Sequence, residues 1–348
     1  MREASCPELL ELLAAEHGGN LLAARRAYPQ APEPWLDLST GINPYAYPFA
    51  HPPMECFTRL PQLAELRALE AAAAMAYRAP AAAEVVAAPG TQAIINWLPR
   101  LVPARRVGIL GATYCEHARN WAASGANLTI TEDLSGLEDK DIAIIVNPNN
   151  PDGRRVAPAD LHALAAVLGK HGGLLIIDEA FVDFLEPGAS IIRDIAGTSV
   201  VVLRSFGKTY GLPGVRLGFA IAPKPVAEKL RTALSPWPVS GAAIAMGVTA
   251  LTDAQWLGTT RARLTTDASA LDKILAAAGF APVGASPLFR LVRHDGAQFW
   301  FDRLAKAGIL VRRFEARPDW LRFGIAGSDA SRARLGAALE LESPQMIR

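Results

Sequence analysis

The chain has 348 residues, 51% of them hydrophobic and 20% charged, a composition that describes an ordinary globular protein with a sizeable core. Its 35 basic and 34 acidic residues leave a formal charge of +1, which excludes nucleic acid and an anionic membrane surface as bulk electrostatic partners. Cys6, Cys56 and Cys115 are far apart and form no CxxC pair, so neither a disulfide framework nor a metal site is expected.

The opening stretch MREASCPELLELLAAEHGG carries acids inside its apolar run. It is unlike a secretory leader and reads as a short amphipathic helix, within an N-terminal arm expected over residues 1–45. No apolar run reaches bilayer-spanning length, and a cytoplasmic location is expected. The alanine-rich run from Ala68 is helical until Pro80 ends the pattern.

From Val85 to Ala222 short β-branched runs alternate with longer helical patterns. Strands are expected at Val107–Leu110, Ile142–Val146, Leu174–Asp178, Val200–Arg204 and Gly218–Ala222, and helices at Thr91–Leu101, Glu116–Ser124 and Pro158–His171. Several of the strands are apolar without alternation, as in strands covered on both faces. The fold class is therefore α/β, with a mostly parallel sheet and helices on both faces in a large domain over 46–240. After about Pro238 the rhythm changes. Helical stretches at Ala245–Leu251 and Ala268–Ala278 precede strands near Leu288–Val292, Ile309–Val311 and Leu321–Gly324. With helices at Gln298–Ala307 and Ser328–Leu341, these predict a smaller α+β domain over 241–348.

In open α/β sheets ligands bind beyond the carboxyl ends of the strands, where the polar motifs of this chain collect. Ser205-Phe206-Gly207-Lys208, followed by the glycine-rich run from Gly211 through Arg216 to Gly218, puts a lysine just past a buried strand. Partial desolvation there favours a neutral amine, which makes Lys208 the candidate to condense with an aldehyde. Ser205 and Arg216 suit a phosphate, the arginine through its bidentate fork. A lone lysine in a glycine-rich turn is ordinarily a surface residue; the full SxxK…GxR spacing is far more specific.

Asp178 ends the apolar run Leu174-Leu175-Ile176-Ile177. A carboxylate there needs donors or a cation. A protonated pyridine nitrogen, acting as an electron sink, suits it; capping of a following helix is the other reading. Asn147-Pro148-Asn149-Asn150-Pro151-Asp152-Gly153 marks a turn, with Asn150 a candidate donor to an oxygen on the same ring. Gly90-Thr91 opens a helix whose N-terminus is either a phosphate site or simply capped. Tyr114 is placed to stack on a flat ring, or to be an ordinary buried tyrosine.

The order Gly90-Thr91, Tyr114, Asn150, Asp178, Ser205, Lys208, Arg216 resembles the fold-type-I pyridoxal-5′-phosphate (PLP) transferases of the aminotransferase class I/II superfamily, over nearly the whole chain. The resemblance implies PLP as cofactor, with Gly90, Thr91, Ser205 and Arg216 around its phosphate and Tyr114 over its ring. Asn150 and Asp178 would contact the ring's polar atoms. Lys208 would be the Schiff-base lysine, and Lys208 and Asp178 the catalytic residues.

Within that superfamily, His17-Gly18-Gly19-Asn20 and Asp37-Leu38-Ser39-Thr40-Gly41-Ile42-Asn43-Pro44 are similar to the opening of the threonine-phosphate decarboxylases of cobalamin biosynthesis. The likeness continues through Asp178-Glu179-Ala180-Phe181, Leu203-Arg204-Ser205-Phe206, Pro236-Trp237 and Ile309-Leu310-Val311-Arg312. It implies decarboxylation of L-threonine O-3-phosphate to (R)-1-amino-2-propanol O-2-phosphate by a homodimer. His17, Asn43, Asn150, Arg312 and Arg322 would meet this small phosphorylated substrate. Histidinol-phosphate aminotransferase, with the same cofactor site and a phosphorylated amine substrate, is the competing implication. On composition alone, His17 is also a polar residue before a Gly-Gly stop, and Arg312-Arg313 a solvated basic pair. Two positions depart from the relatives: Leu60 stands where a tyrosine reaches the neighbouring subunit's cofactor phosphate, and Gly207 where a hydroxyl residue is usual.

Overall fold

The computed structural model describes residues 17–340, so the expected helix before His17 lies, with Cys6, outside the described residues. In chain order the strands are β1 (Leu36–Asp37), β2 (Glu84–Ala88), β3 (Arg106–Leu110), β4 (Asn127–Thr131), β5 (Ile142–Val146), β6 (Leu174–Asp178) and β7 (Val200–Ser205). They continue with β8 (Gly218–Ala222), β9 (Ala281–Ser286), β10 (Phe289–Arg293), β11 (Ile309–Leu310), β12 (Arg312–Arg313) and β13 (Trp320–Gly324). The chain divides into two compact units. One is Ala46–Thr259; the other joins the segment ending at Tyr45 to the chain from Thr260 onward.

The first unit is built on a seven-stranded sheet in the order β2-β8-β7-β6-β5-β3-β4. Strands β3 to β7 pair in parallel, while β8 runs antiparallel to both β7 and β2. The central strands are buried at every position because successive side chains enter two different cores. Ala143, Ile145, Leu175, Ile177, Val200 and Val202 pack on one face. Ile142, Ile144, Leu174, Ile176, Val201 and Leu203 pack on the other. Helices Leu63–Tyr77, Pro158–Gly169 and Gly241–Thr252 contribute to the first core, and Thr91–Leu101, Cys115–Ala123 and Lys224–Leu234 to the second. Helix Gly241–Thr252 therefore belongs to this unit, and the contact division at Thr259 lies past the boundary near 240 suggested by the change of rhythm.

The second unit contains an antiparallel sheet in the order β12-β13-β10-β9, with a bulge between Leu291 and Val292. Helices Ala297–Lys306 and Asp329–Glu340 accompany it. The expected strand at Ile309–Val311 does not join this sheet: β11 pairs in parallel with β1, so the segment before Tyr45 is tied in through Leu36 and Asp37. Ala24, Trp35, Ala305 and Leu310 form a small apolar cluster beside that pairing. The division of the chain falls inside helix Ala254–Ala277, of which only the part from Ala268 is expected from sequence. Among the described residues no helix is long and apolar enough to cross a membrane.

Candidate active site

In the first unit the expected site residues do collect at the carboxyl ends of the parallel strands. Asp178 closes β6 and is 3% exposed, so its charge rests on its partners. Its Oδ2 lies 3.1 Å from Nε2 of His117, and its Oδ1 accepts the Ala180 N–H at 3.1 Å. Burial by itself would raise the carboxyl pKa. The His117 hydrogen bond and charge, the charge of Lys208 and the Ala180 amide together bring it below the ordinary aspartate value. Asp178 is thus an ionised carboxylate inside the protein, and it caps no helix: the short helix that follows starts after Phe181.

Strand β7 ends at Ser205, and a single helical turn, Phe206–Thr209, carries Lys208. Lys208 Nζ lies 5.0 Å from the centre of the Phe181 ring. This turn is anchored from behind by a buried charged cluster. Arg204 bonds Glu179 at 3.2 Å through Nη1 and Asp183 through Nη2. Asp183 also accepts the hydroxyl of Thr209 at 2.5 Å. Glu179, fully buried, takes the Ser190 hydroxyl at 2.6 Å and the Ile191 amide at 3.0 Å. Residues adjacent to Asp178, Ser205 and Lys208 are therefore locked to one another.

Gly90 and Arg216 lie against each other, as the resemblance implies. Gly90 has φ +84°, and a Cβ on it would sit 2.8 Å from Nη2 of Arg216. The glycine makes room for the guanidinium. Arg216 itself adopts left-handed backbone, φ 55°, and helix Thr91–Leu101 starts beside it with no capping side chain. Uncapped first-turn amides next to a guanidinium favour an anion. Tyr114 donates its hydroxyl to Gln92 on that helix at 2.9 Å, and burial pushes its pKa far above the ordinary value. In the turn after β5, Asn147 and Asn149 are structural. Asn147 exchanges hydrogen bonds with Val156, at 3.1 and 2.9 Å, and Asn149 donates to the Ala112 carbonyl at 2.9 Å. Their bonds shape the loop that carries Asn150.

The remaining expected residues lie in the second unit. Arg312 and Arg322 are register partners on β12 and β13, so two guanidinium stems leave the sheet side by side. Arg322 is 7% exposed; burial and then the charge of Arg312 pull its pKa well below the usual guanidinium range, an unfavourable situation that a bound anion relieves. Its Nη2 donates to the Ser39 carbonyl at 3.0 Å. Asn43 is 2% exposed and accepts the Tyr45 amide at 3.0 Å. His17, Arg312 and Arg313 share a cavity of about 250 Å³ with Gly19, Tyr28 and Ser39.

Sequence reasoning passed over His117, although it lies three residues after Tyr114 at the start of a helix, a spacing that puts both on one face. It also left the Arg204–Glu179–Asp183 cluster unread.

The sequence matches the family described as Aminotransferase class I and II over residues 55–339. A threonine-phosphate decarboxylase from Sinorhizobium sp. is 42% identical over 329 residues, covering 93% of this chain and 97% of that protein. A threonine-phosphate decarboxylase from Pseudomonas aeruginosa is 40% identical over 327 residues, with the same coverage of 93% and 97%. Among solved structures, the histidinol-phosphate aminotransferase from Sinorhizobium meliloti in complex with pyridoxal-5′-phosphate superposes with a TM-score of 0.76. It is 23% identical and covers 97% of both chains, a likeness of fold.

Proposed function

We propose that this chain, which belongs to the aminotransferase class I and II family, is a PLP-dependent decarboxylase of L-threonine O-3-phosphate. The observation that carries the reading is identity of 40 to 42% to two threonine-phosphate decarboxylases over 93% of the chain. The product is (R)-1-amino-2-propanol O-2-phosphate with CO2, which places the enzyme in cobalamin biosynthesis.

The first unit fits the cofactor. A guanidinium and an uncapped helix start lie together, as a phosphate requires, and an ionised buried carboxylate stands where a cationic ring nitrogen would neutralise it. PLP, when bound, supplies an aldehyde that joins an amine and a protonated ring that accepts the electron pair left by bond cleavage at the adjacent carbon. Gly90, Thr91, Ser205 and Arg216 would hold its phosphate, Tyr114 would pack on the ring, and Asn150 would donate to the ring oxygen. Asp178 would keep the ring nitrogen protonated, with His117 holding the Asp178 pKa down. Lys208 would be the amine that meets the aldehyde, and its amino group would hold the proton delivered to the substrate's α carbon in place of CO2. His17, Asn43, Asn150, Arg312 and Arg322 meet the carboxylate and phosphate of the substrate, orienting the carboxylate for departure.

We extend the proposal to a cytoplasmic homodimer. Met54, Phe57, Leu60 and Leu63 are 69%, 63%, 57% and 62% exposed on one short stretch, an apolar surface that a second copy would cover. The deciding experiment incubates purified, PLP-loaded protein with threonine phosphate and, separately, with histidinol phosphate and 2-oxoglutarate. CO2 from the first and no glutamate from the second supports decarboxylation; the reverse result assigns the chain to transamination.

A further inference from the structure

The groups assigned to the substrate's anions in the second unit, His17, Arg312 and Arg322, come from distant parts of the chain. All three are referenced to a single tripeptide, Asp37-Leu38-Ser39. Leu38 donates its amide to the Leu310 carbonyl at 2.7 Å, and its own carbonyl accepts the Gly324 amide at 2.7 Å. The tripeptide therefore bridges β11, which leads into Arg312, and β13, which carries Arg322 two residues before Gly324.

Ser39 completes the arrangement. Its N–H and its hydroxyl both donate to Oδ1 of Asp37, at 2.9 and 2.6 Å. With the hydroxyl proton committed, the Ser39 oxygen presents a lone pair to the Gly19 amide, which donates to it at 2.7 Å. The Gly18-Gly19 turn is pressed against this residue: a Cβ on Gly18 would fall 2.3 Å from the Ser39 carbonyl oxygen. That same carbonyl receives Nη2 of Arg322 at 3.0 Å. Ser39 is 1% exposed, so these bonds are made within the protein.

We propose that Ser39 is a positioning residue for substrate recognition: its hydroxyl, oriented by Asp37, sets the turn that carries His17, while its carbonyl sets Arg322. The inference rests on the reading that His17 and Arg322 meet the anionic groups of threonine phosphate. It assigns the two functions of Ser39 to different atoms, and only one of them is lost on truncation. Ser39→Ala removes the hydroxyl and leaves the carbonyl, so its effect falls on His17 and spares Arg322.

The test uses the PLP-loaded full chain and steady-state decarboxylation. Loss of one buried hydrogen bond to the turn is expected to raise KM for threonine phosphate about ten-fold, with kcat changed less than about two-fold. Ser39→Thr, which keeps the hydroxyl, is expected to retain most of the wild-type KM. In a His17→Ala background, Ser39→Ala should raise KM no further, because the group it positions is already gone. Equal effects of Ser39→Ala with and without His17 would overturn the proposal, as would a loss confined to kcat and melting temperature. If His17→Ala raises KM and Ser39→Ala does not, the positioning role fails and the reading of His17 stands. If His17→Ala leaves KM unchanged, that reading falls and the proposal falls with it. Should Ser39→Ala not fold, Asp37→Ala, which frees the hydroxyl to rotate, must raise KM in the same direction, and an unchanged KM there counts against the idea.

Discussion

Replacing Arg204 with methionine probes the cluster that anchors the Lys208 turn. Arg204 is 4% exposed; its guanidinium lies between two carboxylates, Glu179 at 0% and Asp183, while its carbon stacks 4.3 Å from the centre of the Tyr77 ring. Methionine fills comparable space and removes the only cation of this trio. Glu179 then keeps only the Ser190 hydroxyl and the Ile191 amide among these contacts, and Asp183 keeps the Thr209 hydroxyl. Removing one partner from a buried ion pair costs about 3–5 kcal/mol, because the remaining charge is left in a low dielectric. Urea unfolding at pH 7.5 is the assay, and a loss of that size is the expected result. The pH dependence has a defined sign. Burial, as the largest influence, already raises the Glu179 carboxyl, and Arg204 opposes it. Without Arg204 the folded-state pKa rises further, so the added penalty is full above that value and disappears as pH falls through it. The gap between wild type and variant should therefore narrow as pH falls. A loss under about 1 kcal/mol, or a gap that widens on acidification, would refute the view that the cluster depends on charge compensation.

His117→Phe removes the donor 3.1 Å from Asp178 and should weaken PLP retention roughly ten-fold or more, read by equilibrium dialysis. Because the folded Asp178 pKa is depressed, the stability it contributes is present above the unfolded value of about 4 and is lost as pH falls through the folded one. The stability difference between wild type and His117→Phe should accordingly shrink in acid. Borohydride reduction of the PLP-loaded protein should label Lys208 alone, and Lys208→Ala should abolish the label; modification of another lysine in the wild type contradicts the assigned chemistry. Arg322→Leu should raise KM for threonine phosphate about 100-fold, the scale of losing one partner of a buried charged contact.

The central strands are readable because each is built on a short apolar run buried on both faces, and the polar residues of β6 and β7 fall only at their carboxyl ends. Three of them, β5, β6 and β8, match their expected limits. The edge strands carry no such signal. Strand β4, Asn-Leu-Thr-Ile-Thr, is half exposed and polar at three of five positions, and β2 ends in two alanines that suit a helix equally well. Helix Ala254–Ala277 was recognised only from Ala268, since its first half mixes threonine and arginine around the whole circumference. In each case the missing information is what the segment packs against.

The same distinction separates the site residues that sequence can find from those it cannot. The roles proposed for Lys208, Asp178 and Arg216 are legible in the sequence because each is coupled to a local backbone feature: a strand end, a turn, or a glycine that clears space. His117 acts across 61 residues of sequence and Ser39 across 20 and 283, through single hydrogen bonds to Asp178, Gly19 and Arg322. A serine beside an aspartate is also the ordinary composition of a turn, and a histidine on a helix face is the ordinary composition of a core. Only the partner atom points to the role proposed for either. Residues that touch the reacting groups are therefore selected jointly by backbone geometry and chemistry. Residues that orient them are selected by contact alone, and a substitution such as Ser39→Ala, bland by composition, is expected to act through KM.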